Sequence, residues 1–190
     1  ITEIETPVEI TRYSLTPDTG GAGRWRGGLA TTLEFRVFAP DSRVTARNRD
    51  RSRFRPWGTL GGKAAGLSDM VVNPGTVREK HLGNIDYTVL QPGDVLHIHS
   101  AGGGGRGDPL LREPWRVAQD VARGYVTDDA AARDYGVVLT EGGLDDAATT
   151  ALRAKMADPQ PHSHFHFGRE RDAFEEVWTR DAYAQMTRLM

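Results

Sequence analysis

The sequence predicts an α+β fold in which a β-rich N-terminal part, residues 1–108, barrel-like or sandwich-like, is followed by a helical region, residues 109–190, packed on the β part. Two observations carry this. Through the first hundred residues, apolar and polar side chains alternate in short runs bounded by Gly and Pro clusters, the period of half-buried strands. After Pro109 the apolar residues recur at three and four, the period of amphipathic helices. At 190 residues without an internal repeat, the chain suits one domain, or one domain with an appendage, and a length near this buries about 70% of the surface its unfolded form exposes.

Element by element, Val8, Ile10, Tyr13 and Leu15 alternate in a strand over residues 7–16, with a slip at Thr11-Arg12 that suits a bulge. A glycine-rich turn, Pro17 to Gly23, leads through Arg24-Trp25-Arg26-Gly27-Gly28 into a second strand, Leu29 to Phe38, with Leu33, Phe35 and Val37 on one face. Arg43 to Arg49 reads as a third, basic strand, and a broad loop comes next around Pro56-Trp57-Gly58 and Gly61-Gly62. Shorter strands are expected at Met70 to Val72, Asp86 to Leu90 and Asp94 to His99, separated by Asn73-Pro74-Gly75 and Gln91-Pro92-Gly93 turns. Beyond Gly107, Pro114 opens a helix carrying Val117, Ala118, Val121 and Ala122. Thr127 caps a second helix ended by Gly136, before a strand-like Val137 to Leu139. Asp145 or Asp146 opens a third, and one last helix runs from about Arg169 with Phe174, Val177, Trp178, Ala182, Met186 and Leu189 on one stripe.

Composition narrows the function classes. Net charge is -2 with both signs interspersed, so no single-sign field favours nucleic acid or an anionic membrane as partner. No apolar run approaches the roughly 20 residues of a bilayer span. With no cysteine, disulfides, thiol catalysis and cysteine metal sites are excluded, and the expected compartment is a reducing cytoplasm. The chain opens Ile1-Thr2-Glu3 without methionine, so essential residues are expected to lie on other segments.

The most informative feature is Gly102-Gly103-Gly104-Gly105, leading into Arg106-Gly107-Asp108-Pro109. Four glycines held in one conformation cost about 2 to 4 kcal/mol relative to residues with a Cβ, a large fraction of a stability of about 5 to 15 kcal/mol. Close approach by another chain segment or ligand, or obligatory positive φ, explains that cost better than a tolerated flexible loop. The glycines match G-x-G-x-x-G, but neither a βαβ pattern nor a helix opening surrounds them, and there is no G-K-[ST]. Arg106-Gly107-Asp108 is an adhesion tripeptide by coincidence only.

Other chemistry is sparse. His97 and His99 share one side of a strand, an arrangement that could bind a metal but lacks further ligands, so two half-buried strand histidines are the simpler reading. His162, His164 and His166 alternate similarly. Arg43, Arg47, Arg49, Arg51, Arg53 and Arg55 would line one strand face with guanidiniums, for anions or for an ion-paired subunit interface, tempered by Asp41 and Asp50. No G-x-S-x-G elbow or Ser-His-acid set is present, so no catalytic residue is assigned.

Taken together, Thr6-Pro7-Val8-Glu9, the Pro17 to Leu29 run, Asn73-Pro74-Gly75-Thr76, Gln91-Pro92-Gly93-Asp94-Val95, the Ser100 to Pro109 run and Asp134 to Leu139 resemble the C-terminal third of the hydantoinase B/oxoprolinase family. Phe167-Gly168-Arg169-Glu170-Arg171 and Phe174 to Trp178 are similar to that family's terminal segment. The motifs occur in family order over nearly the whole chain.

That resemblance implies a multisubunit, ATP-dependent hydrolase of cyclic amides such as hydantoin or 5-oxoproline. ATP and Mg would sit on a hydantoinase A-type partner, and the remaining hydantoinase B-type portion would be a second partner. Any divalent metal of the relatives would be held outside this segment. An ATP-dependent ketone carboxylase of the acetone type, or a non-catalytic assembly module, are the alternatives. The residues assigned to substrate contact are Gly102, Gly103, Gly104, Gly105, Arg106, Gly107, Asp108 and Arg51. Two uses of the glycine loop stay open: backbone N–H groups offered to a developing oxyanion, or backbone-to-backbone packing with Asp108 capping the helix beyond.

Overall fold

The computed structural model describes residues 2–46, 51–83, 85–158 and 163–189. Arg47, Arg49 and Asp50 of the basic row, and His162 of the histidine row, lie outside them. A four-residue helix α1 (Thr2–Glu5) precedes strands β1 (Val8–Thr16), β2 (Ala30–Val37), β3 (Ser42–Ala46), β4 (Gly58–Thr59), β5 (Asp69–Val72), β6 (Lys80–His81), β7 (Ile85–Leu90) and β8 (Val95–His99). A 3-10 turn (Pro109–Leu111) leads into α2 (Pro114–Ala122) and α3 (Asp128–Tyr135). Then come β9 (Leu139–Thr140), β10 (Gly143–Leu144), α4 (Asp146–Met156), β11 (Phe165–His166), α5 (Arg169–Val177) and α6 (Arg180–Leu189).

Five strands form an antiparallel sheet in the order β1-β2-β8-β5-β6, open at β1 and β6 among the described residues, where a barrel or sandwich was expected. The register of β1 on β2 shifts between Ile10 and Arg12, at the slip in the apolar alternation. Phe35 opposite Leu96 and Leu33 opposite Ile98 give the sheet one apolar face. The β3–β7 ribbon covers it, with Leu90 and Val44 joining Val37, Met70, Val72, Leu82 and Leu96 in one core cluster.

The two Pro-Gly turns are cross-linked rather than loose. The Asp94 carboxylate accepts from the Gln91 amide (2.9 Å), the Asn73 side chain (2.8 Å) and Arg78 (2.9 Å). These donors, the Gln91 amide first, hold its pKa below the ordinary value. Asn73 sits at φ 51 and its side-chain oxygen accepts from the Val95 amide, a left-handed position that asparagine tolerates.

A second core forms where α2 and α3 close on the glycine-rich 18–28 loop: Ala22, Val117, Val126, Ala130, Ala131, Tyr135 and Val137 are buried together. Burial pushes the Tyr135 phenol up. The helix ends obey their local chemistry. Pro114 occupies the first turn of α2, Thr127 Oγ1 accepts from the Ala130 amide, Gly136 closes α3 at φ 60, and Asp145 caps α4.

Two expectations are corrected. The single C-terminal helix is two, because Thr179 Oγ1 accepts from the Ala182 amide and starts α6 afresh. The described arginines of the row do not share one strand face: Arg43 lies in β3, whereas Arg51, Arg53 and Arg55 lie in an irregular segment with separate partners. Arg51 stacks on Trp57 (4.9 Å), Arg53 lies over Phe54 and Phe174, and Arg55 pairs with Glu170 (2.8 Å). Phe54 in turn packs edge-on against Phe174 at 5.4 Å, which drives the segment towards α5 instead of extending it.

The Arg55–Glu170 pair makes docking of α5 acid-sensitive. Its hydrogen bond pulls the Glu170 pKa down from 4.5 to about 2. A carboxylate depressed in the folded state stabilises it fully above pH 4.5, and that contribution disappears as pH falls towards 2. Hydrogen exchange of the α5 amides is expected to accelerate over that window ahead of the sheet, and Glu170→Gln to show fast α5 exchange already at neutral pH. Equal acid profiles for α5 and the sheet would refute this.

Candidate functional site: the glycine knot and its flanking clefts

Three glycine-rich segments, 19–28, 57–66 and 102–107, lie backbone against backbone. A Cβ built on Gly104 would stand 1.8 Å from the Trp57 carbonyl oxygen, one on Gly27 1.8 Å from the Gly103 oxygen, and one on Gly102 2.0 Å from the Thr19 oxygen. Among residues 102–107 only Gly107 has positive φ, at 75. The four consecutive glycines are therefore required by close approach, not by left-handed backbone.

The segments are tied by their own amides. Gly102 N donates to Gly66 O (3.3 Å), Gly103 N to Gly28 O (2.8 Å), Gly105 N to Lys63 O (3.0 Å), Arg106 N to Trp25 O (2.9 Å) and Gly107 N to Thr59 O (2.9 Å). In return Gly103 O accepts from Gly21 N, Gly105 O from Thr59 N, and Arg106 O from Trp25 N. Gly104 N makes no hydrogen bond among the described residues. Asp108 Oδ1 accepts from the Leu110 amide at 2.8 Å and so caps the 3-10 turn.

Two clefts flank the end of this knot and share Asp108. One, of about 490 Å³, is lined by Arg24, Trp25, Leu60, Arg106, Gly107, Asp108 and Leu111. The other, of about 330 Å³, includes Lys63, Asp108, Arg133, Asp134, Asp158 and His166. In it, His166 Nδ1 accepts from the Ala64 amide at 3.1 Å. The structure thus brings Arg106, Gly107 and Asp108 to a cleft rim, keeps Gly102 to Gly105 inside the knot, and sets Arg51 on the Trp57 ring, whose carbonyl abuts Gly104.

His97 and His99 face the same side of β8, their rings stacked 6.5 Å apart. Each Nδ1 is engaged, His97 with Glu34 (3.2 Å) and His99 with Thr32 (3.2 Å). The His97 bond is the leading cause of a lowered Glu34 pKa. Among the described residues no group of three or more His, Cys, Asp or Glu is placed to hold a metal ion.

Sequence reasoning passed over the clamp that fixes the knot against the helices. Buried Asp120 of α2 receives Arg112 at 2.8 Å and Arg26 at 3.1 Å. Arg112 also donates to the Arg24 carbonyl, and Arg153 to the carbonyls of Arg112 and Tyr135. The available signal was the arginine pair bracketing Trp25 in the glycine-rich turn.

The chain is similar in sequence and fold to known proteins. The chain is 40% identical over 162 residues to caprolactamase subunit beta of Pseudomonas jessenii, an alignment covering 80% of this chain and 27% of that protein. The crystal structure of ATP-dependent caprolactamase from Pseudomonas jessenii matches with a TM-score of 0.56 at 35% identity, over 80% of this chain and 27% of that one. A nucleotide-free acetone carboxylase structure shares the fold, with a TM-score of 0.65 at 24% identity, over 79% of this chain and 25% of that one. The chain spans about a quarter of the length of these relatives. The hydantoinase B/oxoprolinase family model matches residues 1–109, the sheet and the entire glycine knot, and the chain belongs to that family.

Proposed function

We propose that this chain serves in the B-type component of an ATP-dependent hydrolase of cyclic amides, working with a hydantoinase A-type subunit that binds ATP and Mg and with the rest of a B-type component. The observation that carries this is the likeness to caprolactamase subunit beta, whose 162 aligned residues run past the 109 of the family model. The similarity therefore takes in part of the helical region that clamps the knot, as well as the sheet.

Within that reading the knot is the rigid frame and its rim meets the substrate. Gly102 to Gly105 contribute by letting three backbones touch. Within residues 102–107, Gly104 N–H is the amide without an acceptor among the described residues, and it is the one placed to donate to an oxyanion developing at an amide carbonyl. Arg106, Gly107 and Asp108 stand at the cleft rim, and Arg51 flanks the knot on the Trp57 side. Binding, orientation and exclusion of water are the roles these residues can fill, the nucleophile being activated by groups on the partner portion.

The test is turnover by the complex purified with its A-type partner, offered hydantoin, 5-oxoproline, caprolactam, and acetone with bicarbonate. Ring opening of a cyclic amide with stoichiometric ATP cleavage is expected. ATP-dependent carboxylation of acetone without amide hydrolysis, or ring opening that needs no ATP, would overturn the proposal.

A further inference from the structure

The larger cleft carries two arginines whose side chains make no hydrogen bond or ion pair among the described residues, Arg24 and Arg106. Their backbones are tied to the knot and the clamp by hydrogen bonds. Arg106 is locked to Trp25 by reciprocal hydrogen bonds of 2.9 and 3.0 Å, and Arg24 N donates to Gly107 O at 3.1 Å while its carbonyl accepts from Arg112. The acidic groups at hand are engaged: Asp108 caps the 3-10 turn and Glu113 pairs with Arg116 at 3.3 Å. The remaining walls are apolar and open to solvent, with Trp25 56%, Leu60 45% and Leu111 62% exposed.

We propose that this cleft is a binding site for a phosphoryl group carried on an apolar body. Two guanidiniums bring two positive charges and two planar forks of N–H donors, a match for a dianionic tetrahedral oxyanion rather than a monoanionic carboxylate. Because the knot holds both Cα positions, little ordering of the backbone accompanies binding. Trp25, Leu60 and Leu111 then cover the organic part, so an aryl or alkyl phosphate binds better than phosphate itself. The inference rests on the proposed function only for where such a ligand would arise, namely a substrate phosphorylated by the ATP-binding partner; binding itself is read without turnover.

Isothermal titration of the full polypeptide with phenyl phosphate, inorganic phosphate and benzoate tests it. Saturable binding in the order phenyl phosphate, phosphate, benzoate is expected, with about a tenfold loss of phenyl phosphate affinity in Arg24→Gln and in Arg106→Gln. Arg123→Gln, an exposed arginine outside the cleft, is expected to bind like the parent. Both cleft substitutions leave the backbone hydrogen bonds in place, so unfolding midpoints within about 2 °C of the parent certify the comparison. Benzoate binding as tightly as phenyl phosphate overturns the phosphoryl assignment. Absence of saturable phenyl phosphate binding, or equal losses in Arg123→Gln and the cleft variants, overturns the site. A complex inactive on every cyclic amide whose cleft still binds phenyl phosphate removes the proposed reaction and leaves the site standing.

Discussion

Gly27→Ala is expected to destabilise the fold by more than about 4 kcal/mol, and Gly28→Ala, one residue on, to change stability by less than about 1 kcal/mol. The contrast is steric. A methyl group on Gly27 would stand 1.8 Å from the Gly103 carbonyl oxygen and 2.5 Å from its carbon, whereas nothing lies within 4 Å of the same group on Gly28. The obstructing atoms are backbone, so no rotamer change relieves the clash. Opening the gap also breaks Gly21 N to Gly103 O and Gly103 N to Gly28 O, the bonds that join the segments. With a total stability of about 5 to 15 kcal/mol, the Gly27 variant is expected to be largely unfolded or to lose the 102–107 segment from its place. Urea titration and hydrogen exchange at residues 19–28 and 102–107 read the two variants side by side; equal stability of both would contradict the knot.

The same geometry fixes what substitutions at Gly104 can report. Its Cβ would meet the Trp57 oxygen at 1.8 Å, so Gly104→Val measures folding before it measures chemistry. Side chains at the rim, Arg106 above all, can be changed without touching the frame and are the proper probes of binding.

Much of the fold was legible because its signals are local. The β1 bulge stood in the slip at Thr11-Arg12, and Pro114, Thr127, Gly136 and Asp145 act within five residues of their own positions. What failed was long-range or ambiguous. The break between α5 and α6 was hidden because Phe174, Val177, Trp178 and Ala182 keep helical spacing across it, although Thr179 with Asp181 two residues on is a legible start signal. The arginine alternation from Arg51 to Arg55 imitated a strand, but the aromatic neighbours Phe54 and Trp57 decide the path by packing on residues more than a hundred positions away. For the candidate site, the glycine run announced close approach without naming the partner, since the segments around Gly21 and Gly62 meet it only in the folded chain. Arg24 and Asp120 look like ordinary surface charges until Arg26 and Arg112 are brought to the latter.

Removing that acid gives the second large effect: Asp120→Ala is expected to cost about 3 to 5 kcal/mol, because two guanidiniums remain in a site that excludes water. Arg112 and Arg26 have side chains only 10% and 16% exposed, and both reach Asp120 Oδ2, at 2.8 and 3.1 Å. Arg112 Nε already lacks a partner among the described residues, so no local acceptor takes over. Asp120→Asn keeps the shape and loses the charge, and is expected to fall between parent and alanine variant. If the penalty comes from stranded charge and not from lost packing, Asp120→Leu combined with Arg26→Met, which leaves Arg112 alone stranded, recovers part of it, while Asp120→Leu alone does not. Thermal unfolding of the four variants beside the parent separates the cases, and an alanine variant within about 1 kcal/mol of the parent would show the clamp to be idle. Because Arg112 also holds the Arg24 carbonyl, a damaged clamp is expected to loosen Arg24 and weaken phenyl phosphate binding with Arg106 untouched, linking the buried ion cluster to the rim of the cleft it supports.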